Sequence, residues 1–217
     1  MKGHRWFAAV YDRMMAPAER GFMKDVREEL AGGASGRVLE IGAGTGANFA
    51  HYQDGLEVVA TEPDPYMLRR AEAKAEGAKA RIELNQASAA KLPFEDASFD
   101  TVVGTLVMCS VDDQAKALAE VRRVLKPTGE YRFFEHIRYE NPIGALSQTL
   151  IAPLWGWCGA GCHPNRKTVD SIRDAGFEVT RVEFTKPTPP IPPMIFTRPH
   201  ALGFATPPQR LTAPPRS

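Results

Sequence analysis

The chain has 217 residues, of which 27 are basic and 26 acidic, with a formal net charge of +1. This length suits one substantial hydrophobic core and is short for two domains of ordinary size, so a single decorated domain is expected. The balanced charge gives no strong electrostatic footprint for nucleic acid. A small molecule is therefore the expected partner, and nucleic acid is not.

The cysteines and the apolar runs indicate the compartment. Cys109, Cys158 and Cys162 are too few and too unevenly spaced for a disulfide framework, and they form no C-x-x-C pair, so no metal is expected. Residues 1–15 contain only a short apolar patch, unlike a signal peptide. No run reaches the ~18 apolar residues of a spanning helix. We expect a cytoplasmic protein that crosses no membrane, and contact with a membrane surface stays open.

Two apolar runs at helical spacing lie between residues 4 and 31, and Pro17 separates them. They predict two amphipathic helices that pack on a sheet or over a pocket. A second interpretation, compatible with the first, is a mobile lid that brings Trp6 or Tyr11 over a bound ligand.

The segment VLEIGAGTGANF, residues 38–49, predicts a buried strand and a glycine-rich turn. Gly42, Gly44 and Gly46 allow positive φ angles and close approach of the backbone to a ligand. A helix opened by Asn48 and Phe49 would direct its free N–H groups towards that ligand.

The acid before this turn helps to identify the ligand. A pyrophosphate-binding loop is usually G-x-G-x-x-G, whereas here the third glycine comes one residue early and Glu40 precedes the turn. A carboxylate at this place favours a cationic ligand, and an ordinary glycine turn is the alternative.

A second acid follows the next predicted strand. Residues 56–64, LEVVATEPD, predict a buried strand that ends at Glu62, about 20 residues beyond the glycine turn, where α/β nucleotide sites carry a carboxylate for the ribose hydroxyls. Its two oxygens can accept hydrogen bonds from both hydroxyls of a cis-diol. The alternative is that Glu62 caps a helix starting near Tyr66.

The remaining elements alternate between strand and helix. Strands are predicted at 80–86, 99–104, 130–137, 177–184 and 200–206, and helices at 67–75, 114–125 and 166–175. This pattern predicts an α/β fold, a doubly wound, Rossmann-like seven-stranded sheet with a nucleotide site at its carboxyl edge. Residues 207–217 are expected to form a disordered tail.

Three features are candidates for the reactive side of the site. The loop 105–111 follows the fourth strand, and Cys109 within it has no basic neighbour in sequence, which favours a buried thiol over a nucleophile. His136 ends the fifth strand as a base, a substrate contact or a structural histidine. The apolar segment 141–157 can line an acceptor pocket or pack in the core.

Over residues 5–206 the chain resembles the class I S-adenosylmethionine (SAM) methyltransferases. The resemblance is carried by VLEIGAGTGANF, TEPDPYML, LPFEDASFD, TLVMCSV and EVRRVLKPTGEYRFFEH. The strings TGANF, TLVMCSVDD, EVRRVLKP, FFEH and PPIPP…RPHALG are most similar to the methyltransferase-like proteins of animal membranes that act on alkyl thiols, and to their bacterial relatives. The resemblance implies one SAM-dependent methyltransferase domain at 1–206, with the helices at about 4–31 as its lid.

The resemblance implies SAM as the methyl donor and a lipophilic small molecule, such as a thiol, as the acceptor. Bacterial relatives methylate phosphatidylethanolamine or quinone precursors, which remain alternatives. A module that binds SAM or a nucleotide without catalysis is an alternative of another class, and a dinucleotide-dependent oxidoreductase is disfavoured by the early third glycine. The animal proteins begin with a hydrophobic anchor that has no counterpart in this sequence, so the resemblance does not imply membrane attachment.

The candidate site residues follow from these patterns and from the resemblance. The cofactor-binding candidates are Glu40, Gly42, Ala43, Gly44, Gly46, Asn48, Glu62, Pro63, Ala87, Ser88, Ala89, Thr105 and Leu106. Ser88 stands where related sequences often carry an Asp that binds the adenine amino group. The substrate-binding candidates are Tyr11, Cys109, His136 and Trp155, and His136 is also the candidate catalytic residue.

Overall fold

The computed structural model describes residues 5–159, 161–187 and 194–208, without the side chains of Trp6, Phe7, Cys158 and Met194. The expected lid contact of Trp6 therefore lies outside the described residues. So do most of the proline-rich connection and residues 209–217 of the expected tail.

Seven strands and six α-helices make up the described fold. The strands are β1 (Val38–Ile41), β2 (Glu57–Thr61), β3 (Arg81–Asn85), β4 (Phe99–Thr105), β5 (Leu125–His136), β6 (Glu178–Thr185) and β7 (His200–Thr206). The helices are α1 (Arg5–Glu19), α2 (Phe22–Leu30), α3 (Pro65–Glu76), α4 (Gln114–Val124), α5 (Pro142–Cys158) and α6 (Thr168–Asp174).

The strands form one sheet in the order β3-β2-β1-β4-β5-β7-β6, which confirms the seven-stranded Rossmann-like prediction. β1 pairs in parallel with β2 and β4, whereas β7 runs antiparallel between β5 and β6. Strand order reverses beside β1, so the loops after β1 and β4 diverge at the carboxyl edge. A crevice at such a position is where α/β sheets bind ligands.

Helices cover both faces of the sheet, which explains why the sequence of β1 is almost uniformly apolar. All four of its residues are buried. Leu39 and Ile41 pack in the cluster that includes residues of α4 and α6, while Val38 packs in the cluster that includes residues of α2 and α3. Glu40 shares the face of Val38 because side chains alternate along a strand, which places a carboxyl group in an apolar layer.

The helix predicted after the glycine turn is wrong. Only a 3₁₀ turn, Phe49–His51, follows, and Tyr52 is already extended. β2 begins at Glu57, which leaves little chain for a helix. Side chains fix this segment instead, since Asn48 and Tyr52 both donate hydrogen bonds to Glu40.

Two predicted boundaries are also wrong. Pro17 lies inside α1, near its C-terminal end, and the break before α2 comes at Gly21, whose φ of −107° and ψ of −127° are not helical. A proline near a helix end removes one N–H, whereas the permissive backbone of glycine allows the turn. β5 begins at Leu125 rather than near residue 130, and a register irregularity between Phe99 and Thr101 accommodates the added residues.

Among the described residues, no helix combines the length and the apolar character needed to cross a membrane.

Candidate functional site

The glycine turn after β1 leaves open space at the carboxyl edge of the sheet. Gly42, Gly44 and Gly46 have φ angles of +57°, +58° and +77°. A Cβ atom on Gly42 would lie 2.8 Å from Val107, and one on Gly46 would lie 2.5 Å from Phe49. A Cβ on Gly44 would meet nothing within 4 Å. Two glycines are thus required by packing as well as by φ, while the third borders space that a ligand can enter.

Glu62 lies directly after β2 and is oriented by two backbone groups. Its Oε2 accepts a hydrogen bond of 2.9 Å from the N–H of Gly44, and its Oε1 accepts one of 2.8 Å from the N–H of Asp64. Asp64, rather than Glu62, caps α3 by accepting from the N–H of Tyr66. A carboxylate has about four acceptor sites, so Glu62 keeps one on each oxygen for a diol. The arrangement suits a ligand that carries a cis-diol.

Glu40 lies beneath the turn in a buried polar network. It is 2% exposed, and it accepts hydrogen bonds of 3.0 Å from Asn48 Nδ2 and 2.8 Å from the Tyr52 hydroxyl. Asn48 Nδ2 also donates to Thr105 Oγ1 at 3.1 Å, which links the turn to the end of β4. Burial raises the pKa of Glu40 to about 7, against the opposing hydrogen bonds. Its charge can therefore change near neutral pH.

Arg27 of α2 completes this network and was not among the predicted site residues. Its Nη1 donates to Asn48 Oδ1 at 2.6 Å, while Nε and Nη2 form a bidentate pair with Glu19 at 2.8 and 2.6 Å. Arg27 occupies a predicted amphipathic helix at a position buried with Met23 and Leu30. An arginine on the apolar face of a helix was the available signal, because a buried cation requires partners.

Helix α1 is docked on the glycine turn. Asp12 Oδ1 accepts hydrogen bonds from Thr45 Oγ1 at 2.6 Å and from Lys74 Nζ at 3.1 Å. Burial opposes ionisation of Asp12, but these two bonds outweigh it and lower the pKa of the carboxyl group. Tyr11 is adjacent, and desolvation by burial raises its pKa to about 12. The N-terminal helix thus reaches the turn.

A cavity of about 450 Å³ lies between α1, the glycine turn and α3. Its lining residues are Tyr11, Asp12, Met15, Glu19, Gly46, Ala47, Ala50, Lys74 and Gly77. Tyr11 and Gly46, two of the candidate site residues, therefore line the same cavity.

The loop after β4 is held by a buried acid that the sequence analysis did not select. Glu135 is fully buried; its Oε1 accepts from the N–H groups of Val107 and Met108, and its Oε2 from that of Cys109, at 2.8–3.0 Å. Burial raises the pKa of Glu135 and the three bonds oppose the shift. The preceding residue, Leu106, has a φ of +60°. A non-glycine residue at this angle costs roughly 1–2 kcal/mol, which the surrounding bonds must offset.

The candidates after β2 and β3 lie at the ends of neighbouring strands. The carbonyl of Pro63 accepts a hydrogen bond of 3.2 Å from Gln86 Nε2, which connects the two segments. Ser88 Oγ accepts from the N–H of Ala90 at 3.3 Å, within a turn closed by a bond from Lys91 N to Ser88 O. Ala89 is buried in the core, whereas Ala87 and Ser88 are half-buried. The Ser88 hydroxyl thus retains its hydrogen for another partner.

Cys109, in the loop after β4, lies next to His136, at the end of β5. Cys109 Sγ lies 3.4 Å from His136 Nδ1, and Cys162 Sγ lies at the same distance from that nitrogen. The hydrogen bond with Cys162 and then burial raise the pKa of the Cys109 thiol. A buried thiol with a raised pKa agrees with the interpretation that Cys109 is not a nucleophile. Sequence spacing did not indicate Cys162.

The apolar segment 141–157 packs in the core along only part of its surface, since Ala145 and Gln148 are buried. It forms α5, on which Ala152 is buried and Trp155 half-buried. Five large apolar side chains on this helix are between 59% and 84% exposed: Ile143, Leu146, Leu150, Leu154 and Trp157. Their spacing of three or four residues puts them on one face. Within the part of the chain that the structure describes, none of these five side chains belongs to either buried core cluster.

Comparison with known proteins gives consistent matches. Residues 39–133 match the family described as a methyltransferase domain. Thiol S-methyltransferase TMT1A of Homo sapiens is 32% identical over 92% of this chain and 82% of its own length. Thiol S-methyltransferase TMT1B of Rattus norvegicus is 36% identical over 77% of this chain and 69% of its own length. Phosphatidylethanolamine N-methyltransferase of Cereibacter sphaeroides is 32% identical over 75% of this chain and 77% of its own length.

Solved structures share the fold. A SAM-dependent methyltransferase of Thermotoga maritima has a TM-score of 0.68 and 21% identity, and the match covers 93% of this chain and 97% of that chain. At this identity the likeness concerns the fold alone.

Proposed function

Since this chain belongs to the family of SAM-dependent methyltransferases, we propose that it methylates a lipophilic small molecule and that the acceptor group is an alkyl thiol. The observation that carries the acceptor class is the 32% identity to thiol S-methyltransferase TMT1A across 92% of this chain. The sequence motifs point to the same group of enzymes.

For the donor, we assign SAM to the carboxyl edge of β1 and β2. Glu62 retains acceptor sites for the ribose hydroxyls, and Gly44 borders open space. Glu40, through its charge, favours a cationic ligand near Asn48. The other proposed cofactor contacts are Gly42, Ala43, Gly46, Pro63, Ala87, Ser88, Ala89, Thr105 and Leu106.

The bound SAM supplies a methyl group on a positively charged sulfur. The protein's own contribution is to align the acceptor sulfur and to keep water away. The bond from Thr45 to Asp12 holds α1 against the turn, which supports a lid formed by α1 and α2. An alkyl thiol has a pKa of roughly 8.5–10 and needs little help to ionise.

The proposed acceptor contacts are Tyr11, Cys109, His136 and Trp155. His136 Nδ1 already faces two sulfur atoms. A contact with the acceptor, or acceptance of the thiol proton, therefore falls to Nε2. Tyr11 approaches from the docked helix α1, opposite the sheet.

A lipid amine is the second candidate acceptor, supported by the similarity to phosphatidylethanolamine N-methyltransferase of Cereibacter sphaeroides. A quinone precursor is a third. The exposed apolar face of α5 supports contact of this protein with a membrane surface. Flotation with neutral phospholipid vesicles tests this contact, which Leu150→Ser should weaken. Equal flotation of both proteins would contradict a contact through α5.

The proposed function is tested by transfer of labelled methyl groups from SAM to alkyl thiols, phenols, quinols and phosphatidylethanolamine. We expect product with thiols. Methylation of phosphatidylethanolamine alone would replace the thiol with the lipid amine. SAM binding measured by calorimetry without any product would instead support a non-catalytic module.

A further inference from the structure

Three potential metal ligands converge from separate segments of the chain. Cys109 lies in the loop after β4, His136 ends β5, and Cys162 follows α5. His136 Nδ1 is 3.4 Å from each sulfur, and the three atoms all lie within 4.8 Å of one another. Both cysteines are buried and free, while His136 is half-buried.

We infer that Cys109, His136 and Cys162 form a binding site for one Zn²⁺ ion. Zinc binds thiolate at about 2.3 Å and imidazole at about 2.0–2.1 Å. In a tetrahedral centre these lengths separate sulfur from nitrogen by about 3.6 Å, close to the 3.4 Å found here. Two cysteines and one histidine are also a known set for zinc with an open fourth position, which a water molecule would occupy.

The imidazole nitrogen between the two sulfur atoms can form a hydrogen bond with only one of them. A neutral imidazole nitrogen either donates or accepts one hydrogen bond, so His136 Nδ1 cannot fully serve two thiols. A disulfide between Cys109 and Cys162 would engage both sulfur atoms but not Nδ1 of His136. A divalent cation engages all three groups, and two thiolates balance its charge, which suits a buried position.

Neighbouring hydrogen bonds hold the ligands in place. The N–H of Cys109 donates to Glu135 at 3.0 Å, and the N–H of His163 donates to the carbonyl of Cys109 at 2.7 Å, which ties the two cysteine loops together. The carbonyl of His136 accepts from Thr168 Oγ1 at 3.3 Å. Bonds of this kind around a metal site orient the ligands and raise affinity.

A metal on Nδ1 changes the role available to His136. The ring then carries its proton on Nε2, so this nitrogen can donate to an acceptor molecule but cannot take a proton from it. Proton acceptance by His136 therefore belongs only to the metal-free protein. The metal site itself does not depend on the identity of the methyl acceptor.

Cobalt titration of the full chain tests the site. The protein is purified without metal-affinity steps, treated with a chelator under reducing conditions, and titrated with Co²⁺, whose bonds to thiolate absorb in the near ultraviolet. We expect one equivalent per chain, displaced by Zn²⁺. His136→Gln and Cys162→Ser should each weaken binding by roughly 10–100-fold or more, since loss of a ligand costs at least as much as loss of its supporting bonds.

The control is His51→Asn, which removes an imidazole from the 3₁₀ turn and should leave binding unchanged. Circular dichroism verifies that each variant is folded. Absence of thiolate-to-cobalt absorption in folded, reduced wild-type protein would overturn the site, as would unchanged affinity in Cys162→Ser. A thiol count of one, out of three cysteines, in protein purified without reductant and then denatured with a chelator would assign a disulfide instead.

Discussion

The proposed cofactor side of the molecule, around the glycine turn, and the side formed by α5 differ in the kind of side chain that they present. Around the glycine turn, the buried carboxyl groups of Glu40 and Glu62 each accept two hydrogen bonds from fixed groups. On α5, five large apolar side chains face outwards. Backbone geometry and paired polar groups on the first side restrict the shape and charge of the ligand proposed there, whereas the apolar face of α5 specifies no particular molecule.

This contrast follows from how each side is built. The cofactor side depends on strand ends, positive φ angles and short-range bonds, which leave few alternatives. The proposed acceptor site consists of side chains from α1, α5 and the loops after β4 and β5. Such contacts can change within one fold, so related enzymes share a donor and differ in acceptor.

Removal of Glu135 should give the largest effect, because this residue holds the loop that joins the two sides. Glu135→Ala leaves three buried N–H groups without their acceptor, and we expect the free energy of unfolding to fall by about 3–5 kcal/mol. Urea denaturation measures the change. The free energy of unfolding should fall less in Glu135→Gln, which retains one acceptor oxygen. Equal stability of the alanine variant and the wild type would contradict the role of Glu135.

Loss of the second acid should weaken the cofactor side specifically. We expect Glu62→Ala to lower SAM affinity by about 2 kcal/mol, or roughly 30-fold, because hydrogen bonds to a charged acceptor disappear. Calorimetric titration with SAM gives the affinity. Glu57→Ala, at the exposed start of β2, is the matched control. Unchanged affinity in folded Glu62→Ala would remove this residue from the site.

The first acid should make SAM binding depend on pH. Burial raises the pKa of Glu40 to about 7, so the carboxyl group gains its negative charge as the pH rises through neutrality. The charged form attracts the cationic ligand, and the affinity should fall roughly tenfold from about pH 7.5 to about pH 6. Glu40→Gln should flatten this dependence. The same slope in both proteins would assign the pH effect to another group.

The smallest effect should come from the contact between α1 and the glycine turn. Asp12→Ala removes bonds to Thr45 and Lys74, worth about 1 kcal/mol at this partly exposed place. We expect turnover to fall about fivefold while the fold is retained. Steady-state kinetics measure the change, and Arg13→Ala, exposed on the same helix, is the control. Full activity of Asp12→Ala would argue against the lid.

Local patterns explain what was predictable from sequence. The apolar run 38–41 and the three glycines are patterns of neighbouring residues, Glu62 ends a predicted strand at a recognisable distance from the glycine turn, and β7 was predicted with its exact bounds. Arg27, Glu135 and Cys162 were missed because each contacts residues that are distant in sequence; Arg27 contacts Asn48, 21 positions away, and Glu135 contacts residues 26–28 positions away. The orientation of α5 was missed because a nearly uncharged helix shows no polar face in its sequence.

The most direct test of the proposed acceptor compares one alkyl thiol with the alcohol and the amine of the same carbon skeleton, under equal SAM. Transfer of labelled methyl groups to each is measured at saturating SAM and matched acceptor concentrations. The proposal predicts turnover of the thiol far above that of the alcohol or the amine. No turnover of the thiol, or equal turnover of all three, would contradict the thiol assignment.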